Sequence, residues 1–178
     1  MKKLILVSLT FLSIGLAKSQ DNVVKVNPLA FFGGSDLVSY ERKFTENITG
    51  IVGLGYSSYS LSTYKYANYG AELQSRYYFK DALEGFYGGA QAGFNLGKVT
   101  LDMSSIGSEL SSEASYTSLR FGGKAGYQWI WKSGFALDLN LGFGYNRYSY
   151  NASSSLSTAG LSGGGIRPNL GFGLGYAF

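Results

Sequence analysis

Gly164–Phe178 reads GGIRPNLGFGLGYAF and alternates with a period of two. Ile166, Pro168, Leu170, Phe172, Leu174, Tyr176 and Phe178 fall on one face; Arg167, Asn169, Gly171, Gly173, Gly175 and Ala177 fall on the other. Successive side chains of a strand point to opposite faces, so the segment reads as a β-strand with one apolar and one small or polar side. No tail is expected beyond Phe178 to cover the apolar side. The expectation is the closing strand of an all-β, eight-stranded antiparallel up-and-down transmembrane β-barrel, with lipid outside and a polar lumen inside.

Working outward, the 178-residue chain has the length of one domain, with 16% aromatic residues, 26 Gly and 2 Pro. Its mean hydropathy of zero conceals apolar and polar residues interleaved one by one. Cys and His are absent, which removes disulfides, thiolate or imidazole metal ligands and the usual general base near neutral pH. Residues 1–19 read as a cleaved signal peptide: Lys2 and Lys3, an apolar run Leu4–Leu16, then Ala17-Lys18-Ser19 before Gln20. The run is shorter than the roughly 20 residues of a spanning helix. Without Lys2, Lys3 and Lys18, the 15 basic residues fall to 12 against 11 acidic, so the charge carries no nucleic-acid footprint. Residues 20–178 are expected to form the barrel.

The alternation predicts strands at Val23–Phe32, Leu37–Phe44, Ile48–Ser58, Tyr69–Phe79, Phe86–Leu96, Thr117–Trp131, Phe135–Tyr145 and Gly164–Phe178. Pro28 requires a bulge or an unpaired position in the first, and Ile51 breaks the pattern of the third. Turns at Gly33–Asp36, Thr45–Asn47, Lys80–Gly85 and Lys132–Gly134 leave long polar loops at Tyr59–Asn68, Lys98–Ser115 and Tyr148–Gly163. From strand two onward, short and long connections alternate, as in outer-membrane barrels. Tyr40, Phe44, Tyr77, Phe79, Trp129, Trp131 and Phe135 sit beside the short turns and read as a membrane-interface girdle.

Period two also sorts the charges. Lys25, Glu41, Lys43, Glu72, Arg76, Arg120, Lys124, Asp138 and Arg167 face inward. An eight-stranded barrel is just wide enough for side chains to fill, and buried charge needs a partner, so they read as a lumen charge network. Glu72, Arg76, Arg120 and Glu41 are its candidate centre. Six basic residues against three acidic also leave a narrow cation-lined passage open.

Three stretches carry a resemblance: Val24-Lys25-Val26-Asn27-Pro28-Leu29, Ser39-Tyr40-Glu41-Arg42 and Gly171-Phe172-Gly173-Leu174-Gly175-Tyr176-Ala177-Phe178. With them the chain resembles the eight-stranded outer-membrane barrels of the OmpA/OmpX/OmpW-like superfamily, and more narrowly the small porin-like barrels of Bacteroidetes. The resemblance implies residence in a Gram-negative outer membrane. It also implies a C-terminal signal at Phe172, Leu174, Tyr176 and Phe178, read by the barrel-assembly machinery. The chain ends with the expected barrel, which departs from two-domain relatives that carry a peptidoglycan-binding domain. Lipid-modifying barrels of similar size use a Ser with a His base, and no His is present. Gly160-Leu161-Ser162-Gly163-Gly164 fits G-x-S-x-G, but lies in a Ser/Gly-rich loop without the strand–turn–helix elbow. The expectations are therefore no enzymatic activity, no cofactor, no metal and no nucleic-acid partner. In their place stands a structural or interaction role, alone or within a larger outer-membrane complex. Adhesion through the Tyr/Ser-rich loops and small-solute passage are the alternatives.

Overall fold

The computed structural model describes residues 20–32, 36–61, 64–102, 111–152 and 162–178. The expected signal peptide, the centre of the Gly33–Asp36 turn and the start of the G-x-S-x-G match lie outside them. The described residues form β1 (Asn22–Val26), β2 (Val38–Lys43), β3 (Ile48–Leu61), β4 (Tyr64–Tyr78), β5 (Gly85–Asp102), β6 (Ser111–Ile130), β7 (Phe135–Ala152) and β8 (Ser162–Ala177). Each strand pairs antiparallel with the next, and β8 pairs with β1 through Val23↔Ala177 to Val26↔Leu174, closing a ring in the order β1 to β8. The alternation read from the sequence becomes two surfaces. Leu73, Phe94, Phe121, Leu141 and Leu170 are exposed outside, while Glu41, Glu72, Gln128 and Asp138 are buried within.

The first strand is shorter than expected. It stops at Val26, and Pro28–Phe32 form a 3-10 turn. Pro28 has no amide to give a ladder, and the chain turns around Asn27, whose side-chain oxygen accepts from the Leu29 amide at 3.1 Å. Because β1 and β2 are short, the β3–β2 register ends at Leu54 and the β8–β1 register at Leu174. Above these points, Gly55–Leu61 and Ser162–Gly173 keep a strand neighbour on one side only among the described residues. The 3-10 turn packs against β3 and β8 there.

Other strands are longer than expected. Tyr59–Leu61 and Tyr64–Asn68 continue as a paired β3–β4 hairpin, with Tyr59↔Tyr66 and Leu61↔Tyr64 in register. β5 runs to Asp102, β6 starts at Ser111 and β7 runs to Ala152. These extensions are rich in Ser, Tyr, Asn and charged residues, so composition reads them as loop, yet a neighbouring strand satisfies their backbone groups.

The end with the short connections is sealed. Leu83, in the β4–β5 turn, packs against Val23, Ala136 and Ala177, with Ile130 beside them. Its carbonyl accepts from Gln128 Nε2 at 2.7 Å. Leu83 holds φ at +77°, a conformation that L residues other than Asn and Asp rarely adopt. The turn thereby drops an apolar side chain into the mouth of the ring.

Candidate functional site

Above that seal lies a buried ion network. Lys25 Nζ, from β1, donates to Glu41 Oε2 at 2.6 Å, Gln128 Oε1 at 2.7 Å and Asp138 Oδ2 at 2.8 Å, which uses all three ammonium hydrogens. Arg76 Nη1, from β4, reaches the same Asp138 Oδ2 at 2.6 Å and lies 3.5 Å from Glu41 Oε2. Its Nε and Nη2 donate to Gln74 Oε1, and its guanidinium carbon lies 4.0 Å from the centre of the Tyr87 ring. The remaining acceptor sites are also filled. Glu41 Oε1 accepts from Thr49 and Tyr78 hydroxyls at 2.6 and 2.9 Å, and Asp138 Oδ1 from Tyr87 at 2.7 Å. Two cations face two carboxylates, all nearly fully buried. Buried charges persist only with this degree of pairing and hydrogen bonding. Gly126 allows it: a Cβ there would meet Tyr87 Oη at 2.6 Å.

A second cluster lies above the first. Glu72 Oε1 accepts from Lys124 Nζ at 2.9 Å and from Gln74 Nε2 at 2.6 Å, so Gln74 links the two storeys. Arg120 is held more loosely, with Nη1 at 3.8 Å from Glu72 Oε2 and Nε donating to Asn146 at 2.9 Å. Asp36, in the β1–β2 connection, accepts from Asn27 Nδ2 at 3.2 Å. Desolvation raises the Asp36 carboxyl above the ordinary carboxylate range and Glu72 adds to this; Lys124, Arg120 and the Asn27 hydrogen bond pull the other way. These groups, with Asn140 and Asn169, line a cavity of about 210 Å³. Beside Lys25, Arg76 and Asp138 the free space shrinks to about 20 Å³, room for one water.

The expected centre therefore divides. Glu72 and Arg76, four residues apart on one strand face, belong to different clusters, and Glu41 and Arg120 go one to each. Lys43 is half-buried at the short-turn end and joins no ion pair among the described residues. Arg167 does not enter the network either: it is exposed on the upper part of β8, with its guanidinium 5.3 Å from the Tyr148 ring centre. Among the described residues, no strand stands between β8 and β3 at that height to enclose it. Thr49 and Asp36 escape the sequence reading. Thr49 shares the inward parity of Ile51, an irregularity by sequence alone, and Asp36 sits in a turn with no period to place it.

On the outer surface, Tyr40, Phe44, Tyr77, Phe79, Trp129, Trp131 and Phe135 are all exposed near the short connections. Trp131 lies one residue beyond β6 and packs at a tilt against Phe135, with centroids 5.3 Å apart. Leu174 and Tyr176 are exposed, Phe172 and Phe178 half-buried, and Phe178 exchanges backbone hydrogen bonds with Asn22. At the opposite end, Tyr116 stacks with Tyr66 and meets the rings of Tyr148 and Tyr150 at a tilt, and its hydroxyl meets that of Tyr66 at 2.5 Å. Among the described residues, no group of three or more Asp and Glu is placed to hold a metal ion.

No curated protein and no solved structure gives a significant match to the chain. The profile of one family, described as a protein of unknown function (DUF3575), matches residues 4–160, a span that contains β1 to β7 of the ring. With that much of its length matched, the chain belongs to the DUF3575 family.

Proposed function

We propose that the chain is an integral β-barrel protein of a Gram-negative outer membrane. In this reading it is exported by a cleaved signal peptide and inserted by the barrel-assembly machinery, with a structural or interaction role and a plugged lumen. One observation carries the reading: every strand exposes large apolar side chains outward while charge is buried inside. Ile166 and Leu170 are 76% and 74% exposed, with Lys25 and Glu41 at 3% and 0% within. In water such a wall would be a contiguous apolar band around the molecule; in lipid it is the stable orientation. An apolar hollow of about 950 Å³, lined by Phe86, Tyr127, Leu139, Leu141 and Phe172 among others, offers acyl chains a seat. The two-storey ion network supports a closed lumen over a conducting one. The resemblance to small Bacteroidetes barrels and the strict alternation over Gly164–Phe178 support the same assignment.

The test is fractionation of cells expressing the tagged chain, with electrophoresis before and after boiling, and planar-bilayer recording of the purified protein. Outer-membrane recovery, heat-dependent migration and a closed baseline are expected. Soluble or inner-membrane recovery overturns the location, and steady conductance overturns the plug. Mild-detergent extraction with quantitative mass spectrometry then separates a subunit of a larger complex from a free-standing barrel. The Tyr66, Tyr116, Tyr148 and Tyr150 cluster favours a second reading, a surface-binding barrel, because Tyr provides contact area at low entropic cost.

A further inference from the structure

Past Asp138 the chain carries two arginines, Arg147 and Arg167, and no acidic residue through to Phe178. Both are exposed, and neither joins an ion pair among the described residues. Arg167 faces the mouth of the ring, over Tyr148. Arg147 has the opposite parity and stands on the outer wall of β7, above Tyr145, Phe143 and Leu141. Its cross-strand neighbour on β8 is Gly164, and the Tyr145 hydroxyl lies over that glycine. A guanidinium and a phenol hydroxyl therefore top the same stretch of apolar wall. Elsewhere along this border the outward polar positions are Ser58, Thr117, Lys65 and Lys98, and both lysines already interact with another group of the protein. Uncompensated positive charge at this level is concentrated on β7 and β8.

Below Arg147 lie Ile166 and Leu170 of β8, the two most exposed large apolar residues among those described, in register with Tyr145 and Leu141 of β7. They lead down to the apolar hollow of about 950 Å³, which Leu139, Leu141, Leu170 and Phe172 help to line. That volume is at the upper end of ligand sites, roughly 300–1,000 Å³. Leu141 and Leu139 are six and eight residues from Arg147. The separation is about 20–27 Å along the strand, or about 15–21 Å along the barrel axis at a tilt of about 40°. One leaflet contributes about 15 Å of hydrocarbon, half of the roughly 30 Å core. A lipid whose headgroup meets Arg147 therefore ends its chains at the hollow. The charge selects the headgroup, because a guanidinium pairs with phosphate through parallel N–H donors and no acid of β7 or β8 opposes it there. We propose that the outer wall of β7 and β8 docks one phosphate-bearing lipid of the leaflet on the side of the long connections. Its phosphate sits on Arg147 and the Tyr145 hydroxyl, and its acyl chains run over Ile166 and Leu170 into the hollow. The inference rests on the membrane reading and deepens it by naming the headgroup and the place.

The test is native mass spectrometry of the full chain, folded and delipidated in non-ionic detergent, its folding verified by heat-dependent migration. The probes are dimyristoyl phosphatidate and dimyristoylglycerol, which share their chains and differ in the phosphate, with inorganic phosphate as competitor. One phosphatidate per chain is expected, bound about fivefold or more tightly than dimyristoylglycerol. Arg147→Met is expected to abolish that preference and leave dimyristoylglycerol binding unchanged, while Lys132→Met, at the short-turn end, preserves it. Leu170→Ala is expected to weaken both lipids. The comparison of the two lipids on the natural chain keeps the test decisive if a variant fails to fold. Equal binding of the two lipids overturns the proposal. So does a preference that survives Arg147→Met, or full displacement of phosphatidate by inorganic phosphate at concentrations on the order of 10 mM. A chain recovered as soluble, without heat-dependent migration, overturns the membrane reading and this inference with it; a folded outer-membrane barrel without the preference overturns this inference alone.

Discussion

Arg76 is held from several sides at once, by Asp138, Glu41, Gln74 and the face of Tyr87. Removing it strands two buried carboxylates that Lys25 alone must then serve. Arg76→Met is expected to destabilise the folded chain by about 3–5 kcal/mol, read from urea unfolding in detergent, because breaking a buried pair leaves uncompensated charge. Lys43→Met, at the mouth and without an ion pair, is expected to stay within about 0.5 kcal/mol by the same measurement. Asp36 gives the opposite sign. Its carboxyl binds a proton more tightly folded than unfolded, so its contribution is most favourable below the ordinary value of 3.8 and is lost as pH rises through the raised folded value. Asp36→Asn, which keeps an oxygen for Asn27, is therefore expected to raise stability at pH 7 and to lose that advantage toward acid pH. Thermal unfolding of both forms across that range checks it; an advantage that grows on acidification would refute the assignment.

At the scale of the element, β8 shows how a proline can sit in a strand. Phe178 donates to Asn22 of β1 and Ala177 to Gly134 on the β7 side, and the β7–β8 register runs without a bulge from Phe135↔Tyr176 to Ser149↔Ser162. Amides alternate sides along a strand, so even-numbered positions point toward β1 and odd-numbered ones toward β7. Pro168 therefore lacks its N–H on the side where β1 has already ended, and no ladder bond is lost. Arg167, one residue earlier, points its amide at β7. Arg167→Pro is expected to cost about 1–3 kcal/mol through the lost ladder bond, and Arg167→Ala much less, since that side chain is exposed. Equal costs in urea unfolding would place the β8 edge elsewhere.

For the whole molecule, the decisive contact is between the first strand and the last. Val24 and Tyr176 face each other in register and both side chains point outward. Opposed residues of a hydrogen-bonded antiparallel pair have Cα atoms about 5.5 Å apart, within the range of a disulfide. The natural chain has no Cys, so Val24→Cys with Tyr176→Cys creates the only thiol pair. Mild oxidation of the folded protein is expected to link the two ends, giving faster migration without reductant, whereas the same treatment in urea is expected to link far less. Equal linkage in both states, or none in the folded one, would mean the ring does not close there. Among the described residues, closure also leaves the upper parts of β8 and β3 without a strand neighbour on one side, where the 3-10 turn packs instead.

The sequence by itself determined the existence of the strands and their two faces, because the period of two is a local property of the backbone and shows along the core of each strand from β2 to β8. It also placed Lys25, Glu41, Glu72, Arg76 and Asp138 on the inner face. It could not show which acid each base meets: Glu72 and Arg76 share a face and a strand, and only the registers around the ring send one to Lys124 and the other to Asp138. Strand ends were misread wherever both faces are polar, as at Tyr64–Asn68 and Tyr148–Ala152, because a backbone continues as strand when a distant neighbour takes its hydrogen bonds. Pro28 announced a break within the first strand but not its consequence. That the strand stops at Val26, that Pro168 becomes tolerable and that a polar cavity opens beside β8 all depend on which segments lie next to one another, and adjacency of segments far apart in the chain is a property of the closed ring alone.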